Sequence, residues 1–141
     1  MTHPRMFDDD DPVLARVRAV CLALPDAAEK VSHGRPTFFT TKTFATYGGS
    51  VKLGGGRHER HEQSLLLKPS DDDELRGLLA DPRCFYPAYV GPSGWYGIDL
   101  DEETDWPEIA ELVEESYRVT AGPRRVARLD SERTDGPPAP G

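Results

Sequence analysis

Hydrophobic positions along the chain change period several times, and each change predicts an element. After Asp11-Pro12, apolar residues fall at Val13, Leu14, Val17, Val20, Cys21 and Leu24. These spacings build one face of an amphipathic helix. Asp11 supplies an N-cap carboxylate and Pro12 suits the first helical position, while Leu24-Pro25 marks the stop. From Gly34 the rhythm shortens. The stretch GRPTFFTTKTFATYGGSVKL is rich in Phe, Thr, Tyr and Val and is broken by glycine pairs. It predicts strands over 37–40, 44–47 and 50–53. Another strand is expected over 63–68, where consecutive Leu65, Leu66 and Leu67 imply cover on both faces. The short connections point to an antiparallel meander.

Helical spacing returns at Ser70. Ser70 and Asp73 resemble a capping box, the acidic run 71–74 suits a helix N-terminus, and Leu75, Leu78 and Leu79 form a buried stripe that ends at Asp81-Pro82. Strands are predicted over 88–90 and 95–100, around the turn Gly91-Pro92-Ser93-Gly94. In the second of them Tyr96, Ile98 and Leu100 share one face, and Trp95, Gly97 and Asp99 the other. Asp105 and Glu108 cap a third helix whose apolar face is Ile109, Leu112, Val113, Ser116 and Tyr117. Ala121-Gly122-Pro123 ends it. Residues 1–10 and the Pro/Gly-rich stretch 130–141 are expected to be disordered, which leaves one domain over 11–129. The order of elements predicts an α+β fold: an antiparallel sheet of about five strands, with N-terminal, middle and C-terminal helices packed on it.

Composition narrows the function classes. No apolar run approaches the ~20 residues needed to span a bilayer, and the acidic N-terminus is not a secretory signal. A cytoplasmic protein with no membrane association is expected. Cys21 and Cys84 show neither metal-ligand nor redox spacing and read as free thiols. The net charge of −8 argues against generic adhesion to nucleic acid. It is uneven, however: residues 31–69 hold six basic and two acidic side chains, whereas 70–122 hold three basic and fourteen acidic.

The positive segment contains the stretch with most candidate chemistry, VKLGGGRHERHEQSLLLK. Its three glycines lie between strands, not before a helix, and no Gly-Lys-Ser/Thr follows, so a phosphate loop is not expected. His58, His61 and Glu62, with His33 elsewhere, lack the spacing that one helix face imposes on metal ligands, so neither a metal nor another cofactor is expected. There is no nucleophile elbow. What remains is a basic hairpin. Arg57 and Arg60, with Lys42, Lys52 and Lys68 and with Arg124 and Arg125 past the last helix, form a candidate nucleic-acid-binding set. The bland alternative is a solvated tip whose cations keep a strand edge unpaired. A different class of reading is a small-molecule pocket lined by Phe38, Tyr89, Trp95 and Tyr117, residues that also suit a core.

Several stretches together resemble one family. Lys42-Thr43-Phe44-Ala45, Pro87-Ala88-Tyr89, Gly94-Trp95, Asp105-Trp106 and Ser116-Tyr117, followed by Gly122-Pro123-Arg124-Arg125, are similar in order and spacing to the MmcQ/YjbR-like proteins. The resemblance covers about residues 13–129. It implies a CyaY/frataxin-like fold, sometimes described as a double-wing DNA-binding domain, with no established catalytic residues. On that basis the protein is expected to be a non-enzymatic, bacterial, monomeric or weakly dimeric domain. Double-stranded DNA is the expected partner of the hairpin, and a small molecule is the alternative ligand.

Overall fold

The computed structural model describes residues 6–134. Its elements run α1 (Pro12–Leu22), β1 (Ala28–Ser32), β2 (Arg35–Phe39), β3 (Thr43–Gly54), β4 (Arg57–Leu67), α2 (Asp72–Leu79), β5 (Cys84–Phe85), a short 3-10 turn (Gly91–Ser93), β6 (Tyr96–Asp99), α3 (Trp106–Thr120) and α4 (Pro123–Thr134). The six strands form one sheet in the order β1-β2-β3-β4-β6-β5, and every pair is antiparallel. The expected α+β fold is therefore present.

Three of the four helix starts are fixed by carboxylates. Asp11 accepts from the Val13 N–H at 2.9 Å and also from the Tyr47 hydroxyl at 2.5 Å, so the cap that starts α1 also ties it to β3. Asp105 accepts from the Glu108 N–H at 3.2 Å. At α2 the cap is Asp71, not Ser70: its carboxylate accepts from the Glu74 N–H at 2.8 Å, and the Ser70 hydroxyl turns to the Glu74 carboxylate instead.

Strand alternation separates two faces of the sheet. The register pairs Phe38 with Ala45, Ala45 with Leu67, Tyr47 with Leu65, Leu65 with Ile98 and Leu67 with Tyr96. These side chains share one face and are almost completely buried. Leu14, Val17 and Cys21 of α1 and Ile109, Val113 and Tyr117 of α3 join them in a single core. Ser116 fastens α3 to the sheet, donating to the Phe44 carbonyl at 2.6 Å and accepting from the Lys68 N–H at 2.9 Å. The opposite face carries Thr37, Thr46, Leu66 and Gly97, which pair across the strands in that order.

Beyond the α2 cap, further details depart from the sequence reading: the expected strands 44–47 and 50–53 are one strand, β3, and β5 was not expected. β1 is a polar edge strand, Ala-Glu-Lys-Val-Ser, joined to β2 by His33 and Gly34, both at positive φ as a two-residue hairpin requires. Residues 88–90 form a turn rather than a strand, because Ala88 donates its N–H to Ser50 and the chain then tightens into the 3-10 turn. Pro123 stops α3 but also occupies the first position of α4, which continues to Thr134 with Leu129 buried. Residues 130–134, expected to be disordered, are therefore helical. Residues 6–10 are also placed: Met6 donates to the Gly34 carbonyl at 2.8 Å, and Phe7 packs against the core. The remainder of both stretches lies outside the described residues. Cys21 and Cys84 are free thiols, the first buried and the second half-buried.

Candidate functional site

The seven candidate cations fall into two groups. β3 and β4 form a long hairpin whose tip, Gly54-Gly55-Gly56, has all three residues at positive φ. Lys52, Arg57 and Arg60 lie near this tip on the strands themselves. The segment Arg57–His61 is thus extended rather than a loop. The others sit at the far end of the sheet. Register places Ala45 opposite Leu67, so Lys42, before β3, and Lys68, after β4, share one end. At ~3.3 Å per residue that end is roughly 35 Å from Arg57. Arg124 and Arg125 stand on α4. Arg125 is engaged there, bonding Asp26 and the Thr41 hydroxyl, each at 3.2 Å.

The four candidate pocket aromatics also divide. Phe38 is fully buried on the helix-covered face, because its register partner there is Ala45. Tyr117 lies in the same core, with its ring edge-on to Phe44 at 5.5 Å and its hydroxyl donating to the Pro25 carbonyl at 2.7 Å. Neither lines the cavity on the other face of the sheet, whereas Tyr89 and Trp95 do.

That cavity has a volume of about 930 Å³. Its floor comes from β2 and β3 through Arg35, Thr37, Thr46 and Ser50, and its wall comes from His58 and Arg60 of β4. Tyr89 and Trp95, on the segment between β5 and β6, also line it. The bond from the Ala88 N–H to the Ser50 carbonyl, at 2.7 Å, holds this segment against β3. Tyr89 adopts φ +69°, an uncommon region for a bulky side chain, and is largely exposed. Its ring stacks on His58 at 5.8 Å and lies 5.0 Å from the Lys52 ammonium. Lys52 and His58 are cross-strand partners, so the hairpin and the 88–90 turn meet at this ring.

Two glycines let side chains pack directly on β3. At Gly48 the Arg35 guanidinium occupies the position a Cβ would take, and φ is +89°. At Gly49 a Cβ would stand 2.8 Å from Leu66 Cδ2. Among the ion pairs of the described residues, Arg35 is the least exposed arginine, at 12% of its side chain, yet its carboxylate partner Glu62 is 3.5 Å away. Arg18, by contrast, holds Glu29 through two nitrogens at 2.9–3.1 Å.

His61 clips the hairpin to the sheet. Nδ1 meets Asp99 at 2.7 Å, Nε2 meets Glu59 at 2.9 Å, and the ring stacks on Phe85 at 4.1 Å. Burial disfavours the imidazolium, but the two carboxylates outweigh it and hold the pKa above the usual histidine value. Among the described residues no group of three or more His, Cys, Asp or Glu could hold a metal ion. No helix among them is long and apolar enough to cross a membrane.

Sequence reasoning passed over Arg35, Thr37, Thr46 and Ser50. The available signal was period-two alternation: polar Arg35, Thr37 and Thr46 flank the apolar positions Phe38 and Ala45 and carry the face the core does not use.

Comparison with known proteins agrees with this architecture. No curated protein matches the chain significantly. The crystal structure of Deinococcus radiodurans protein DR2400, with family-model domain DUF419, superposes with a TM-score of 0.52 at 19% identity, over 75% of this chain and 76% of that one. At that identity the likeness concerns the fold. The YjbR family model matches residues 22–119, an interval that contains all six strands and both walls of the cavity. The chain belongs to the YjbR family.

Proposed function

We propose that this protein is a non-enzymatic binding domain whose ligand is a small molecule seated in the cavity on the helix-free face of the sheet. One observation carries this reading. A cavity of about 930 Å³, within the range of small-molecule sites, combines aromatic walls at Tyr89 and Trp95 with converging polar groups from β2, β3 and β4. The test is a thermal-shift panel of small aromatic acids, alcohols and nucleotides on the wild type and on a Thr46→Arg variant that fills the floor. A compound that raises the midpoint of the wild type and not of the variant supports the site. Equal shifts in both proteins, or none in either, would exclude it.

A second reading, binding of double-stranded DNA, is favoured by one grouping. Lys52, Arg57 and Arg60 share the β3–β4 hairpin near its exposed glycine tip. Phosphate contacts there would make affinity fall steeply with salt. Fluorescence anisotropy with a mixed-sequence duplex at low and near-physiological salt, on wild type and on Arg57→Glu/Arg60→Glu, decides it. Binding unchanged in the variant, or absent at low salt, removes the hairpin from consideration.

A further inference from the structure

We infer that the cavity is selective for an oxyanion carried on a flat aromatic group, with the Arg35 guanidinium as its anchor; this inference rests on the cavity being a small-molecule site. Arg35 has five N–H donors in a rigid fork. One of them reaches the Glu62 carboxylate, at 3.5 Å, and that carboxylate is itself 44% exposed. A guanidinium removed from water needs close partners to offset its desolvation. The other arginines with ion pairs are more exposed and yet better served: Arg83, for example, has Asp81 at 2.7 Å and Glu108 at 2.6 Å. Arg35 is thus the most withdrawn of these cations and among the least neutralised. Its fork matches a carboxylate or phosphate, which accept two parallel bonds.

The surroundings point the same way. Thr37 already spends its hydroxyl proton on the Arg35 carbonyl at 3.2 Å, which steadies the start of β2. Thr46 and Ser50 add hydroxyls on the floor, and Arg60 and His58 bring further nitrogens to the wall. The cavity lining thus holds two arginines, Arg35 and Arg60, and no carboxylate, although the chain as a whole carries −8. Two aromatic residues line the same cavity, Trp95 and the strained Tyr89. A strained backbone of this kind persists only where its surroundings enforce it, and such positions cluster at ligand sites. Together the charged floor and aromatic walls fit a ligand with an anionic end and a planar apolar body.

The test is a titration of the full chain followed by amide chemical shifts, with four probes: phenyl phosphate, phenylacetate, benzyl alcohol and inorganic phosphate. At least one of the two aromatic anions should shift amides of residues 35, 46–50 and 88–90. It should bind about tenfold or more tightly than benzyl alcohol, and more tightly than inorganic phosphate. The stronger of the two names the oxyanion. Arg35→Met should lose that preference by about tenfold, and Arg35→Lys should recover part of it as a point charge. Benzyl alcohol binding as well as both anions, with Arg35→Met unchanged, would overturn the oxyanion inference while leaving the cavity a ligand site. Inorganic phosphate binding as tightly as phenyl phosphate would overturn the aromatic half. Failure of all four probes to move any cavity amide would overturn both this inference and the reading on which it rests.

Discussion

On one side of β3 and β4, Ala45, Tyr47, Leu65 and Leu67 are at most 2% exposed, filled in by α1 and α3. On the other side of the same strands, Thr46 pairs with Leu66, and the next positions are Gly48, Gly49 and Ser50, beside a withdrawn arginine. The first face is built as a core, where volume and shape are matched and polar groups are few. The second is built of small and polar residues that leave room and point donors into it. A sheet needs only one packed face to fold. Residues on the other face are therefore released from packing and available for binding, and here that face holds the cavity.

The comparison breaks most readily at the core. Leu67→Ala should cost roughly 2–5 kcal/mol, since the side chain is fully buried between α3 and the sheet. Thr46→Ala, one residue from Ala45 on the opposite face, should cost under about 1 kcal/mol. Urea unfolding of both variants measures the difference, and equal losses would mean that both faces serve as core.

Gly48→Ala sharpens the description of the cavity floor. It should cost more than about 1 kcal/mol, because alanine is strained at positive φ and because the Arg35 guanidinium fills the Cβ position. Gly55→Ala bears the same kind of backbone strain at φ +62°, but with open space around the added carbon. The excess of the first loss over the second, by urea unfolding, reports the Arg35 contact. No excess would show that Arg35 does not lie over Gly48.

Two titrations give smaller effects, one at each side of the sheet. Glu115 of α3 is partly desolvated and bonded to Glu74, which raises its pKa to about 6. A carboxyl whose folded pKa exceeds its unfolded one is favoured protonated, so the fold loses stability as pH rises from the ordinary glutamate value through about 6, and the loss is complete above that. Glu115→Gln should therefore raise the thermal midpoint at pH 8 and leave it unchanged near pH 4. An equal gain at both pH values would remove the Glu74 contact from the explanation. His61 has the same sign for a different reason, since its protonated form is held by Asp99 and Glu59. Its stabilisation is complete below the ordinary histidine value of ~6.5 and fades as pH rises through the higher folded value. In the Glu115→Gln background, His61→Gln should flatten what remains of the decline, as followed by thermal unfolding across pH 6–9.

The packed face was legible in the sequence because burial leaves a periodic trace. Val13, Leu14, Val17 and Cys21, or Ile109, Val113 and Tyr117, recur at helical spacing, and carboxylates announce two of the helix starts. The elements that escaped are those stabilised by pairing or docking rather than by their own apolar content. In β1 the one larger apolar side chain, Val31, is half exposed, and α4 buries Leu129 on an otherwise charged helix. The site was half legible. Tyr89 and Trp95 were named among four candidate aromatics, but Phe38 and Tyr117 look the same in sequence and differ only through register and packing. Arg35 was hidden by its neighbour, since Gly-Arg-Pro reads as punctuation before a strand. Its significance appears only when a glycine thirteen positions later opens the space for its guanidinium.

Thermal unfolding of the wild type and Arg35→Met, each with and without the aromatic anion, phenyl phosphate or phenylacetate, that binds the wild type more tightly, tests the central claim most directly. A withdrawn guanidinium with one long ion pair adds little to stability, and an apolar side chain of similar length often replaces such a charge without loss. The account predicts an unchanged or higher midpoint for Arg35→Met. It also predicts a rise of a few degrees for the wild type at ten times the dissociation constant, about 1.4 kcal/mol, that the variant does not show. A midpoint that falls by several degrees in Arg35→Met, with that anion stabilising both proteins equally or neither, would make Arg35 a structural residue and contradict the account.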